Sequence, residues 1–336
     1  MNKIATMSRA DRQALFAETA NRMGVTDTIA EKDFWVCWVL QQLFTLEAFR
    51  DRLLFKGGTS LSKVFGVIRR FSEDIDLAVD FAALGFTGDS DPRQAGLSRT
   101  KREAILGEML TVCRAYIGTE FIDALRARCS DVLGPEGEWT LSVEPGMPDN
   151  VLFRYPAAAA THDYIAGRVV LELGTHAEFV PHGSFTIRSF VADQFPDLVD
   201  EPDIRVEALL AKRTFWEKAT ILHAEFYRSP EKPLPPRYSR HYYDLAMMAN
   251  SDIRDEALSD MGLLADVVRH KQVFYAATWA RYDLAQAGSL RLLPAESRRD
   301  ALKQDYRQMM PMIFGDAPAF EAILRTLAAL EELINR

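Results

Sequence analysis

The stretch FKGGTSLSKVFGVIRRFSEDIDLAVDF, residues 55 to 81, constrains the fold more than any other part of the chain. Leu53-Leu54-Phe55 is a short apolar run, and Phe71 to Phe81 follows the alternation that a half-buried strand requires. Between them Gly57-Gly58 marks a turn, and Leu61, Val64, Phe65 and Ile68 recur at helical spacing. The segment is therefore predicted as strand, turn, helix and strand, a βαβ-type unit that needs a larger sheet to bury its apolar faces. In the second strand Asp74 and Asp76 project from one face together with Ser72. Phe71, Ile75, Leu77 and Val79 point the other way, into a core, and Glu73 breaks the alternation near the expected strand start.

Two carboxylates side by side on a strand repel one another unless a cation sits between them. Oxygen-only ligands favour Mg²⁺ or Mn²⁺, and magnesium typically takes one or two carboxylates together with substrate phosphates. A solvated strand edge can carry the same D-x-D pattern and bind nothing, so the flanking residues decide. Gly57, Gly58, Thr59 and Ser60 fall between a strand and a helix, where unpaired backbone N–H groups and the helix dipole favour an anion. A glycine pair alone would mean only a tight turn. Lys63 lies one turn after Thr59 on the same helical face, turned to phosphate or to solvent. A third carboxylate, Glu172, interrupts the apolar run Val169 to Leu173. An ionised glutamate in such a run is costly unless it pairs, as with Arg168, or ligates a metal. Three acidic groups from two neighbouring strands are what a two-metal phosphoryl or nucleotidyl transfer site requires.

The rest of the chain supplies the frame. Residues 8 to 49 read as helical, with Ser8 and Asp11 in a capping pattern and a second helix over Thr28 to Leu46. Glu31, Lys32 and Asp33 precede the aromatic run Phe34 to Trp38, where they either line a cleft or cap a helix. Residues 85 to 102 are rich in turn formers and charge and read as an exposed loop, and 102 to 128 as helix. Val143, Val151 to Tyr155, Val169 to Leu173 and Phe185 to Ser189 are further strands of the same sheet. The acidic DLVDEPD at 197 to 203 reads as a boundary between domains 1–200 and 201–336, the second mainly helical and broken by the proline-rich loop 229 to 236. Three widely spaced cysteines without C-x-x-C, and six histidines without H-x-x-x-H, argue against a disulfide framework or a zinc site. The N-terminus lacks a signal-peptide core and no apolar run approaches a membrane span, so a cytoplasmic protein without a membrane partner is expected. A net charge of −8 argues against a generic polyanion binder. Residues 205 to 240 nonetheless carry eight Lys/Arg against four Glu, a local excess that suits a triphosphate or an RNA backbone as well as a solvated helix pair.

Strand, glycine turn, helix, h-D-x-D-h and a later h-E-h resemble the nucleotidyltransferase fold shared with polymerase-beta-like enzymes. More narrowly, EKDFWVCWVL (31–40), FKGGTSLSKVF (55–65), RFSEDIDL (70–77) and RTFWEKATILH (213–223) resemble the AbiEii/AbiGii toxin family. These are nucleotidyltransferases of abortive-infection and type IV toxin–antitoxin systems, related to the MenT toxins. The resemblance spans roughly residues 28 to 250. It implies an α/β (α+β) chain: an N-terminal nucleotidyltransferase domain, its mixed sheet flanked by helices, followed by a C-terminal helical domain. It implies that Asp74, Asp76 and Glu172 ligate Mg²⁺ or Mn²⁺, and that Gly57, Gly58, Thr59, Ser60, Lys63 and Lys218 bind a nucleoside triphosphate. Lys218 stands for the lysine of the family's E-K motif. RHYYDL (240–245) resembles the R-D-x-x-D-L element with His241 in place of its first aspartate, which leaves Asp244 as the residue carried over and the role of His241 open. The implied acceptor is RNA, a tRNA 3′ end; the implied outcome is toxicity or phage defence, with a cognate antitoxin as partner. Transfer to a protein, either that antitoxin or the toxin itself, and a non-catalytic nucleotide-binding module are the alternatives.

Overall fold

A computed structural model of the protein describes residues 1–159 and 167–336. The chain divides into two compact units, Met1–Val64 with Ser72–Ala208, and Phe65–Phe71 with Leu209–Arg336.

The first unit is built on a mixed seven-stranded sheet in the order β3-β4-β5-β2-β1-β7-β6. Its strands are β1 (Leu53–Lys56), β2 (Asp74–Val79), β3 (Thr140–Glu144), β4 (Met147–Arg154), β5 (Arg168–Gly174), β6 (His182–Ile187) and β7 (Ile204–Leu209). β2 runs antiparallel to β1 and parallel to β5, and β1 runs parallel to β7. Its helices are α1 (Asn2–Ala5), α2 (Arg9–Met23), α3 (Asp27–Thr45), α4 (Gly57–Lys63), α5 (Arg99–Tyr116), α6 (Ile122–Leu133) and α7 (Phe190–Gln194).

The predicted cap is present: the Ser8 hydroxyl accepts from the Asp11 amide at 3.1 Å, and Gly24 ends α2 in the left-handed region at φ +67°. α3 is apolar almost all round, the mark of an internal helix. Its Trp35 stacks on Tyr155 with ring centroids 5.4 Å apart, and Trp38 on Phe153 at 5.6 Å. These rings join Phe55, Ile75, Leu77, Val169 and Leu171 from one face of the sheet in a single core.

Two local expectations fail, each for a physical reason. The helix predicted to reach Ile68 ends at Lys63, and the strand predicted from Phe71 begins at Asp74. Between them, residues 65 to 71 belong to the second unit. Gly66 turns the backbone at φ +62°, the Phe71 amide donates to the Met312 carbonyl at 2.7 Å, and the Phe314 amide to the Arg69 carbonyl at 2.6 Å. The apolar spacing of this segment serves a remote partner rather than a continuing helix. Beyond 203 the chain was expected to be helical, yet 204 to 209 form β7, in which Ile204, Val206 and Ala208 are buried. The alternation of IRVEAL was a visible strand signal.

The second unit is mainly helical: α8 (Ala211–Tyr227), α9 (Ser239–Ala249), α10 (Ile253–Leu258), α11 (Met261–Phe274), α12 (Arg299–Met309) and α13 (Phe320–Asn335). The Asp305 carboxylate accepts from the amides of Arg237 and Ser239, both at 2.7 Å, and so caps the start of α9. Along α13, Ile323, Leu327, Leu330 and Ile334 are buried at spacings of four and three, which makes it a one-faced surface helix. Among the described residues no helix is long and apolar enough to cross a membrane.

Candidate active site

Register puts the carboxylates on one face of the sheet. In the parallel pairing of β2 with β5, Asp76 stands beside Glu172 and Asp74 beside Val170. Lys56 of β1 is the cross-strand partner of Asp76 on the other side. Ile75 and Leu77 turn to the opposite face and into the core. The expectation that Glu172 interrupts a buried run needs correction. Val169, Leu171 and Leu173 are buried on the core face, whereas Glu172 lies on the other face and is exposed. No desolvation cost therefore compels it to find a partner. Asp74 and Asp76 are half-buried. Burial, with the charges of Glu73, Glu172 and Asp76 and against that of Lys32, pushes the Asp74 carboxyl up to about 6.

Among the described residues, no three His, Cys, Asp or Glu side chains gather as a ready-made metal cluster. A magnesium ion does not require one, since it takes one or two carboxylates and completes its shell with phosphate oxygens and water. Asp74 and Asp76 fit that demand: they offer oxygen donors only, and the Asp74 carboxyl, raised first by burial and then by the neighbouring carboxylates, sits where a cation would favour its ionised form.

Gly57 is the first residue of α4, not a turn before it, and its role is steric. It adopts φ +76°, and a Cβ added there would fall 1.9 Å from Oδ2 of Asp76 and 2.5 Å from its Cγ. The Asp76 carboxylate thus lies against the bare Cα of Gly57. The first-turn amides of α4 have no intrahelical acceptor, and the capping position, Lys56, makes no side-chain cap bond. Thr59 and Ser60 are buried, and the Thr59 hydroxyl donates to the Asp74 carbonyl at 2.5 Å, tying α4 to the start of β2.

Lys63, expected beside phosphate, is engaged elsewhere. Its ammonium lies 2.5 Å from Asp33 Oδ1 and 4.2 Å from the ring centroid of Phe190, with both charged groups buried. Asp33 Oδ2 also accepts from the Phe190 amide at 2.6 Å. Its neighbours on α3 are equally occupied. The Lys32 ammonium meets Glu73 at 2.5 Å, and the Glu31 carboxylate accepts from the amides of Ala158 and Ala159 at 2.6 and 3.1 Å. Three charges just before the apolar run Phe34 to Leu40 were a sequence signal, although the sequence could not name their partners.

In the second unit Asp244 is fully buried on α9. Arg70 clamps it bidentately, Nε to Oδ1 at 2.7 Å and Nη2 to Oδ2 at 2.9 Å, and the Lys218 ammonium of α8 lies 2.8 Å from Oδ2. Burial alone would raise the Asp244 carboxyl; the two cations outweigh it and hold the group well below the usual range. Burial lowers the Lys218 ammonium, with Asp244 opposing that shift, and it keeps His241 well below its ordinary value, so the imidazole is neutral. His241 Nδ1 lies 3.5 Å from the Lys218 ammonium. Lys218 and Asp244, each carried over separately by family resemblance, are in contact. Arg70, which completes the group, heads the motif RFSEDIDL, although no role is read for it from the sequence.

A mixed sheet that presents D-x-D beside a glycine-started helix, with a third carboxylate on the next strand, defines the nucleotidyltransferase class. The chain belongs to the AbiEii nucleotidyl transferase toxins of type IV toxin–antitoxin systems, whose family model matches residues 38–326. Among solved structures it is similar to MenT4, a nucleotidyltransferase toxin from Mycobacterium tuberculosis H37Rv. The two share 16% identity, the match covers 98% of this chain and 100% of that one, and the TM-score is 0.42. No curated protein matches. The protein is thus a nucleotidyltransferase, and membership in the family brings a nucleoside triphosphate substrate and an antitoxin partner.

Proposed function

We propose that this toxin moves a nucleotide from a nucleoside triphosphate to an RNA acceptor, a tRNA 3′ end, with Mg²⁺ or Mn²⁺ held by Asp74 and Asp76. The observation that carries the reading is the register that sets Asp74, Asp76 and Glu172 on one face, with Asp76 seated against Gly57. The chemistry such a cation supplies is a lowered pKa for the acceptor hydroxyl and countercharge for the leaving pyrophosphate. Asp74 and Asp76 contribute the oxygen ligands. Glu172, exposed beside Asp76, completes the anionic face and takes the proton of the attacking hydroxyl. The first-turn amides of Gly57 to Ser60 bind phosphate oxygens. Lys63 acts on α4 through Asp33 rather than on phosphate. Lys218, held by Asp244, is assigned to the triphosphate by the family resemblance. The RNA acceptor rests on that resemblance and on the eight Lys/Arg against four Glu between residues 205 and 240. The cellular consequence is growth arrest in the cytoplasm, serving phage defence.

The test is to incubate the protein with bulk tRNA and each triphosphate labelled at the α-phosphate. Label should enter tRNA with one nucleotide, and chelation or Asp76→Ala should abolish it. Label on the toxin or its antitoxin, with none in RNA, would replace the RNA acceptor by a protein one; a γ-label there would mean phosphoryl transfer.

A further inference from the structure

Between Ile29 and Leu40 α3 is apolar except for Glu31, Lys32 and Asp33, and these three consecutive residues are buried with relative exposures of 2%, 2% and 5%. Successive side chains leave a helix about 100° apart, so the three reach three different segments. Glu31 holds the amides of Ala158 and Ala159. Lys32 holds Glu73, the residue before Asp74. Asp33 holds Lys63, which closes the helix that begins at Gly57, and the amide that starts α7. Thr59 ties that same helix to Asp74, and Gly57 lies against Asp76. Both supports of the two aspartates, α4 and the start of β2, are therefore fastened to α3 by ion pairs.

A buried ion pair gains little stability over apolar residues of similar size, because both charges give up water. What it offers and an apolar contact lacks is a fixed atom-to-atom geometry. We propose that Lys32 and Asp33 are positioning residues of the transfer site: Lys32 acting through Glu73 fixes Asp74, and Asp33 acting through Lys63 fixes α4 against Asp76. The cation affinity of the site depends on both, although neither touches the cation. The inference rests on the assignment of Asp74 and Asp76 as cation ligands.

The paired replacements Lys32→Met with Glu73→Met and, separately, Asp33→Leu with Lys63→Met each remove one charge of each sign and leave the net charge unchanged. Mn²⁺ binding to the full-length protein, followed by the electron paramagnetic resonance signal of the free ion, is read beside the thermal midpoint. The midpoint should stay within roughly 4 °C of the parent. The Mn²⁺ Kd should rise about 10- to 100-fold, the usual consequence of losing a partner behind a metal ligand. The Mg²⁺ concentration needed for transfer should rise with it. An Mn²⁺ Kd equal to the parent's in either pair overturns the proposal. Should the Lys32 double variant not fold, Lys32→Arg keeps the charge pair while changing its geometry. A Kd raised beyond titration error then supports the proposal, and the parent's Kd overturns it. Asp74→Asn in the same titration separates the two readings. Undiminished Mn²⁺ binding there means the ligand assignment has failed. Lost binding there, with parent-like binding in the Lys32 variants, sinks the positioning role alone.

Discussion

Gly57→Ala tests whether the glycine of this site serves the aspartate rather than only a turn. The new Cβ would lie 1.9 Å from Asp76 Oδ2, 2.5 Å from Cγ and 2.9 Å from Cβ. Rotating the carboxylate relieves the first two contacts but takes Asp76 away from its present position. The third involves the root of the side chain and obliges β2 to give by a few tenths of an ångström. Holding alanine at φ +76° adds roughly 1–2 kcal/mol, and the overpacking roughly 1–3 kcal/mol, for a total of about 2–5 kcal/mol.

A double-mutant cycle isolates the contact. Asp76→Ala removes the two nearest atoms and leaves only the Cβ contact at 2.9 Å, so Gly57→Ala in that background should cost the backbone strain, roughly 1–2 kcal/mol, plus a small part of the overpacking. The coupling between the two positions is then most of the overpacking cost, roughly 1–2 kcal/mol. Urea unfolding of the parent, the two single variants and the double variant, all with chelator present, measures it. Transfer from an α-labelled triphosphate is the second readout. Gly57→Ala should fall to the level of Asp76→Ala although it deletes no ligand. If the two substitutions add to within about 0.5 kcal/mol, Asp76 does not rest on Gly57 and the steric argument is refuted.

Three other substitutions separate charge from packing. The Asp74 carboxyl is raised from 3.8 to about 6, so its contribution to stability is complete below its ordinary value and is lost as pH rises through about 6. In cation-free protein Asp74→Asn should therefore gain stability over the parent between pH 5 and pH 8. Partial solvation limits the gain to roughly 1–3 kcal/mol, and parallel pH profiles of the thermal midpoint would contradict it. Asp244→Asn removes the buried countercharge of Arg70 and Lys218 and should cost about 3–5 kcal/mol; a loss under about 1 kcal/mol by urea unfolding would show that the pairing is dispensable. Glu172→Gln, on an exposed position, should leave stability within about 0.5 kcal/mol while lowering transfer by roughly 100-fold. Undiminished transfer would remove Glu172 from the site.

The legible parts of the sequence were those governed by local periodicity. Alternation around Asp74 and Asp76 gave their shared face, and the apolar positions of β5 gave the face of Glu172. Burial was misjudged because a strand pattern does not say which face is covered: the run that made Glu172 look enclosed encloses only its odd-numbered neighbours. The segment 65 to 71 was illegible for a different reason. Its apolar spacing suits helix or strand equally, and its actual partners, Asp244, Met312 and Phe314, lie far along the chain.

Buried charge is the exception that joins the two cases. Glu31, Lys32 and Asp33 interrupt the stretch Thr28 to Leu40 of α3, every residue of which is buried. A charge there loses its hydration, so it persists only where a specific partner compensates. The pattern itself therefore foretells partners of defined chemistry, even though only the fold reveals that they are Glu73, Lys63 and three backbone amides. Asp244 obeys the same rule in reverse. An aspartate inside the apolar stripe of α9, between Tyr243 and Leu245, requires cations from outside its own helix, and it finds them in Arg70 and Lys218. In the first unit the buried Lys32 and Asp33 form ion pairs that reach the residues flanking the carboxylate strand, and in the second the buried Asp244 is paired with Arg70 and Lys218.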